Sequence, residues 1–219
     1  MIMRKISYIA THHFGGTKYS PFDSSVHTTL EQINNAHKSR WPDFPSTLKM
    51  PDGSLCYIGY NFVLLRNKRW FQARPIGAET AAQRGFNFNT VSFAFSGNFI
   101  KRNGIPVNTP DLTNITDYRT LAIALLDNNR VMLDRLGVVV APNTEIKITP
   151  TNIHKHSYYQ QGTECNALPD SWGRDLLADH IRGYGNLQII YASILELATR
   201  ITRFRKIGAT TYDCGAARN

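Results

Sequence analysis

Along the first hundred residues, short runs of apolar positions are broken by polar ones at a period near two, the pattern of strands with covered faces. Between residues 5 and 12, Ile6, Tyr8, Ile9 and Ala10 stand in a β-favouring context, and Gly15-Gly16 follow, which predicts a strand running into a loop. His12 and His13 would then face opposite sides. Thr28-Thr29-Leu30-Glu31-Gln32 offers overlapping capping boxes, with Ile33 and Ala36 continuing a short helix toward Trp41 and Pro42. Residues 42–57 are rich in Pro, Ser, Asp and Gly and read as a long loop, unusual enough to suggest function or an insertion. Runs at 60–66 and 69–74 flank Asn67-Lys68 as in a β-hairpin, and 90–95 alternates Val91, Phe93 and Phe95 with Ser92 and Ala94. A twisted sheet of at least four strands is expected.

From 116 to 136, Leu121, Ala124, Leu125, Met132 and Leu136 recur at helical spacing before Gly137, predicting one helix of some twenty residues. Short apolar pieces at 138–140 and 146–148 surround Pro142, His154-Lys155-His156 follows, and 172–181 looks helical. Strands interleaved with helices predict an α/β fold, a central mixed twisted β-sheet flanked by helices. Leu187, Ile190, Ile194, Leu197, Ile201 and Phe204 then form an apolar stripe whose end carries Arg200, Arg203, Arg205 and Lys206. The chain therefore divides into a domain at 1–183 and a basic, amphipathic helical extension at 184–219. That extension could dock on its own domain, self-associate or enter an anionic membrane interface.

The chain has 219 residues, 42% apolar and 19% charged, which suits one globular domain with a real core. No apolar run nears the roughly 20 residues of a membrane span, so no transmembrane segment is expected. The apolar stretch after Arg4-Lys5 is too short for a secretion signal, and the expected site of synthesis is a reducing cytoplasm. Three cysteines (Cys56, Cys165, Cys214) are too few and odd in number for a disulfide framework. A formal charge of +9 favours polyanionic partners. No basic motif interleaved with aromatics appears, and nucleic acid is not an expected partner.

Seven histidines raise the question of which converge. His156 and Cys165 stand nine residues apart across a polar loop, near enough to share a metal, and His12 or His13 could bring a third ligand from the early strand. Two neutral imidazoles and a thiolate would hold zinc with a fourth position open, the catalytic type of site. Spacing alone leaves open the alternative of sheet histidines satisfied by neighbours and a buried thiol.

Ile9-Ala-Thr-His-His13, Gly59-Tyr-Asn-Phe62, Gly85-Phe-Asn87 leading to Gly97-Asn-Phe99, and Thr163-Glu-Cys165 occur in this order. In that order the chain resembles the zinc-dependent N-acetylmuramoyl-L-alanine amidases, which include amidase-type phage endolysins and the peptidoglycan recognition proteins. The likeness spans roughly residues 5–180. It implies Zn2+ held by His12, His156 and Cys165, with His154 as the alternate for His156 because the spacing to the cysteine is one residue longer than usual. It implies a structural His13, Tyr60 beside the metal with its hydroxyl available to the attacking water or the oxyanion, and Thr163 at a position held by lysine or threonine. The histidine that the family commonly places in its binding groove is matched by Ala82.

The implied activity is bacteriolytic hydrolysis of the amide between N-acetylmuramic acid and L-alanine in peptidoglycan. A phage-type lysin would be made in the host cytoplasm and act on the wall after lysis or delivery, or travel with the virion. Peptidoglycan is the expected partner, with anionic wall polymers or lipopolysaccharide meeting the basic C-terminal helix. The alternative is a recognition module that binds peptidoglycan without turnover.

Overall fold

The computed structural model describes residues 3–14, 29–65, 69–97, 101–102, 105–106, 112–160 and 177–178. The first predicted strand is two, β1 (Arg4–Ile6) and β2 (Tyr8–Phe14), separated at Ser7, whose N–H bonds the Asn89 carbonyl at 2.9 Å. Helix α1 (Leu30–Arg40) begins as its sequence predicts. Thr29 caps the Gln32 N–H through its hydroxyl, and the Gln32 side chain returns to the Thr29 N–H. The predicted hairpin is β3 (Phe62–Leu65) antiparallel to β4 (Arg69–Gln72), and β5 (Thr90–Ser96) runs parallel to both β2 and β3.

Beyond β5 come the two-residue strands β6 (Lys101–Arg102) and β7 (Ile105–Pro106), then α2 (Leu112–Leu126), α3 (Arg130–Arg135), β8 (Thr144–Ile146), β9 (Ile153–Lys155) and α4 (His156–Tyr159). The main sheet has the order β4-β3-β5-β2-β9, mixed in direction as expected, with β2 between two parallel neighbours. β1 pairs with β8 in a separate parallel ladder.

Alternation decides what each face of the sheet meets. Ile9, Phe62, Leu64, Val91, Phe93 and Phe95 pack on Tyr118, Leu121 and Leu125 of α2. Phe14, Val63, Leu65, Phe71 and Ala94 pack on Leu30 and Ile33 of α1. Burying each of the Val, Leu, Ile and Phe side chains among them stabilises the fold by about 1.5–3 kcal/mol, so both faces are strongly specified. His12 shares its face with Ala10 and Phe14, the α1 side, and His13 takes the other parity.

One expectation is corrected. The single helix at 116–136 is broken into α2 and α3 at Asp127-Asn128-Asn129. Asn128 takes φ 47°, in the left-handed region that asparagine tolerates, and the Asn129 side chain caps the Met132 N–H at 2.9 Å, starting a new helix. The segment 42–57 is a loop, as its composition predicts, and it folds back on itself. Lys49 bridges Leu55 around Gly53 (φ 83°), and Met50 and Cys56 enter the core with Ile58. Burial pushes the Cys56 thiol up to about 11, which keeps it an inert core group.

Of the predicted helix at 172–181 only residues 177–178 are described, Leu177 being buried in the core, and the extension at 184–219 lies outside the described residues. Among the described residues no helix is long and apolar enough to cross a membrane.

Candidate functional site

The α1 side of the sheet carries the polar cluster. Asn34 and His37, one turn apart on α1, grip the incoming segment 55–59. Asn34 donates to the Leu55 carbonyl at 3.1 Å and accepts the Tyr57 N–H at 2.6 Å, and His37 Nδ1 accepts the Gly59 N–H at 2.8 Å. From the other side the buried Arg74 guanidinium donates to the carbonyls of Ile58 at 2.8 Å and Phe44 at 2.6 Å, satisfying a cation that would otherwise be costly to bury. Asn61, fully buried, accepts the Ser92 N–H at 2.9 Å and donates to the Pro75 carbonyl at 3.0 Å, tying the Gly59-Tyr-Asn-Phe62 segment to β5. Tyr60 is thereby held between two imidazoles, with ring centroids 5.3 Å from His37 and 5.1 Å from His12.

His12 is 1% exposed. His156 opens α4 directly after β9, the parallel neighbour of β2, and its ring centroid stands 4.4 Å from that of His12. The Tyr159 hydroxyl donates to the Ile9 carbonyl at 3.0 Å and pins α4 onto β2. His154 takes a different position, stacked on Tyr158 with centroids 3.5 Å apart and planes 8° from parallel. Of the two histidines before the cysteine, His156 is the one brought beside His12. Cys165 and Thr163 lie outside the described residues, and among the described residues no three His, Cys, Asp or Glu side chains are grouped as a metal set.

The segment between β4 and β5 supplies a further contact. Asn87 Oδ1 accepts the Gln83 N–H at 2.8 Å, the Ala82 N–H at 3.0 Å and the Thr80 hydroxyl at 3.2 Å, and Gly85 turns the chain at φ 84°. This clasp is the physical content of Gly85-Phe-Asn87. It presents the Gln83 side chain to His12, whose Nε2 lies 3.0 Å from Gln83 Oε1, and Ser92 Oγ donates to the same oxygen at 3.2 Å. His156 has a longer counterpart, its Nε2 3.4 Å from Gln160 Oε1. At Ala82 no imidazole enters the cluster.

Burial, and then the neighbouring His156, holds His12 well below the ordinary histidine range against the opposing Gln83 hydrogen bond. Burial lowers His156 as well, and burial followed by His156 lowers His13 to about 4. Near neutral pH the site is therefore a pair of neutral imidazoles, the form that offers a lone pair to a metal or accepts a proton. Sequence reasoning missed His37 and Gln83. His37 was one of the seven histidines in question, but no spacing singles out either residue, because both contacts close between segments remote in the chain.

No family model matches the chain, and no curated protein does. Solved structures similar to it are amidase endolysins and peptidoglycan recognition proteins. One is the endolysin N-acetylmuramoyl-L-alanine amidase LysCS from Clostridium intestinale, 19% identical, with a TM-score of 0.49 over 81% of this chain and 85% of that one. An endolysin from a Thermus scotoductus bacteriophage is 20% identical, with a TM-score of 0.42 over 81% and 87%. A human peptidoglycan recognition protein in complex with glycosamyl muramyl pentapeptide is 18% identical, with a TM-score of 0.41 over 74% and 76%.

Proposed function

We propose that this protein is a zinc-dependent N-acetylmuramoyl-L-alanine amidase of the phage-lysin type, cutting the amide between N-acetylmuramic acid and L-alanine in peptidoglycan. The observation that carries this reading is the convergence of His12, His156 and Tyr60. They come from three separate segments and meet with ring centroids 4.4 and 5.1 Å apart around the buried His12.

The donor chemistry fits zinc. Two imidazoles kept neutral by burial offer nitrogen lone pairs, and Cys165 would complete the set as a thiolate. Bound zinc supplies Lewis acidity and lowers the pKa of water toward about 7. The protein's own groups do the rest. Tyr60, fixed by the Asn61 and His37 contacts on either side of it, presents its hydroxyl as a hydrogen-bond donor to the oxyanion that develops on the scissile carbonyl. Thr163, two residues before Cys165, can relay a hydrogen bond but is no acid at neutral pH, so the proton for the leaving amine has to come from another group. The +9 charge favours adhesion to anionic wall polymers or lipopolysaccharide, which rising salt would weaken.

A recognition module without turnover is the second reading, favoured by Ala82 standing where a groove histidine is usual. One experiment separates the two. Zinc-quantified protein is incubated with cell-wall sacculi while new amino termini on L-alanine and new reducing sugar ends are followed. Amino termini that stop on chelation and return with zinc are the expected result. Stoichiometric zinc with neither kind of end released would overturn the amidase reading in favour of the module.

A further inference from the structure

Gln83 is 1% exposed, and its amide is incompletely used. Oε1 lies 3.0 Å from His12 Nε2 and accepts the Ser92 hydroxyl at 3.2 Å. Its Nε2 is buried and has no hydrogen-bond partner among the described residues. A buried donor left unpaired costs about 1–3 kcal/mol, a cost that an apolar side chain of the same length would avoid. The backbone on both sides of this amide is nevertheless fixed in its favour. Asn87 clasps the Gln83 and Ala82 N–H groups, and Gly59 lies so close to Ala81 that an added Cβ would stand 2.9 Å from the Ala81 carbonyl oxygen. The Ala81 N–H closes the same approach by donating to the Gly59 carbonyl at 2.9 Å. The segment that carries Gln83 is thus locked against the one that carries Tyr60.

We propose that Gln83 is a positioning residue for His12. Its carbonyl oxygen fixes the imidazole as the Nε2–H tautomer in one ring orientation, so that Nδ1 keeps its lone pair for a ligand. A neutral imidazole that gives one nitrogen to a metal carries its proton on the other, and that N–H needs an acceptor to hold the ring still. Gln83 Oε1 is such an acceptor, placed by a clasp on a segment remote from β2. The part of the inference that concerns zinc rests on the proposed amidase site. The tautomer of His12 does not.

The test uses the full chain in three variants. Gln83→Met keeps the length and apolar fill but removes the acceptor, Gln83→Asn keeps the amide but shortens its reach, and Gln83→Glu restores an acceptor at the original distance. The His12 ring nitrogens are read by long-range 15N–1H correlation in the metal-free protein. Zinc affinity is read by competition with a chromophoric chelator, and thermal unfolding reports the fold. In the parent His12 is expected as the single Nε2–H tautomer, and in Gln83→Glu the acceptor again holds a proton on Nε2, with both ring nitrogens protonated where the carboxylate is ionised. In Gln83→Met and Gln83→Asn His12 becomes a mixture of tautomers, and zinc binding weakens about 10- to 100-fold. Should Gln83→Met fail to fold, Gln83→Asn makes the same comparison. An unchanged His12 tautomer in a folded variant, with zinc affinity within about threefold of the parent, would overturn the proposal. A parent that binds no zinc removes the metal reading alone, and the tautomer comparison still decides the role of Gln83.

Discussion

His37 Nδ1 accepts the backbone N–H of Gly59 at 2.8 Å, so a side chain from α1 sets the path of the chain one residue before Tyr60. The same ring lies 5.3 Å from the Tyr60 ring, centroid to centroid, and meets Trp41 edge-on at 5.2 Å. A His37→Ala substitution leaves the Gly59 N–H without that acceptor and opens space beside Tyr60. It is expected to lower unfolding stability by about 1–2 kcal/mol and to reduce wall hydrolysis through misplacement of Tyr60. Urea denaturation checks the first effect. A variant with the parental midpoint would show that this contact adds nothing to the fold.

At Gly59 the limit is space rather than backbone conformation. A Cβ there would stand 2.9 Å from the Ala81 carbonyl oxygen and 3.1 Å from the Ala81 Cβ, and a backbone oxygen cannot swing aside. Gly59→Ala is therefore expected to cost about 1–3 kcal/mol and to push the Tyr60 and Gln83 segments apart. Gly85→Ala has open space around its new methyl, but φ 84° is strained for an L-residue, and a cost of about 1–2 kcal/mol is expected from the backbone alone. The two variants separate in activity, since only the first disturbs the contact between the two segments. Equal losses of turnover at equal stability would contradict this.

Much of the sheet was legible because alternation survives in the sequence wherever each face meets a different layer. Val91, Phe93 and Phe95 meet α2 while Ala94 faces the α1 side, and the structure follows that split. The capping box at Thr29 was legible for a similar reason, its partners being three residues apart. The break at Asn128 was not, because apolar spacing runs on through Met132 and Leu136 while the turn depends on two asparagine conformations that periodicity does not register. Within the site, His12 and Tyr60 stood out through motifs contiguous in sequence. Gln83 and His37 meet His12 and Gly59 from 71 and 22 positions away, and only the folded chain brings those partners together.

Acid stability follows from the histidines. In the unfolded chain His13 titrates near 6.5, and burial lowers it to about 4 in the fold. Above pH 6.5 it is neutral in both states and contributes nothing to the pH dependence. Below that, the unfolded chain takes up a proton that the folded chain refuses, so stability falls as pH drops from about 6.5 to about 4 and then levels off. The lowered His12 and His156 add slope of the same sign. Urea midpoints of metal-free protein between pH 7.5 and 4 should decline, and His13→Gln should make the decline shallower. A midpoint independent of pH across this window would contradict the buried, neutral state of these rings.

If the proposed zinc site is right, Tyr60 gives the sharpest division between holding the metal and using it. Asn61 anchors its backbone to β5, and His37 and His12 pack against its ring. Tyr60→Phe therefore removes one oxygen and leaves the packing in place. On the proposed mechanism, zinc content and thermal stability stay at the parental level while turnover on sacculi falls about 10²- to 10³-fold, the usual cost of losing one donor to a developing oxyanion. The loss should appear in kcat rather than in wall binding, because the donor acts where charge develops. Cys165→Ser, in contrast, should lose zinc and activity together. A metal-loaded Tyr60→Phe protein with full turnover would remove the tyrosine from the chemistry and leave His37, on its far side, as the next protein group to test.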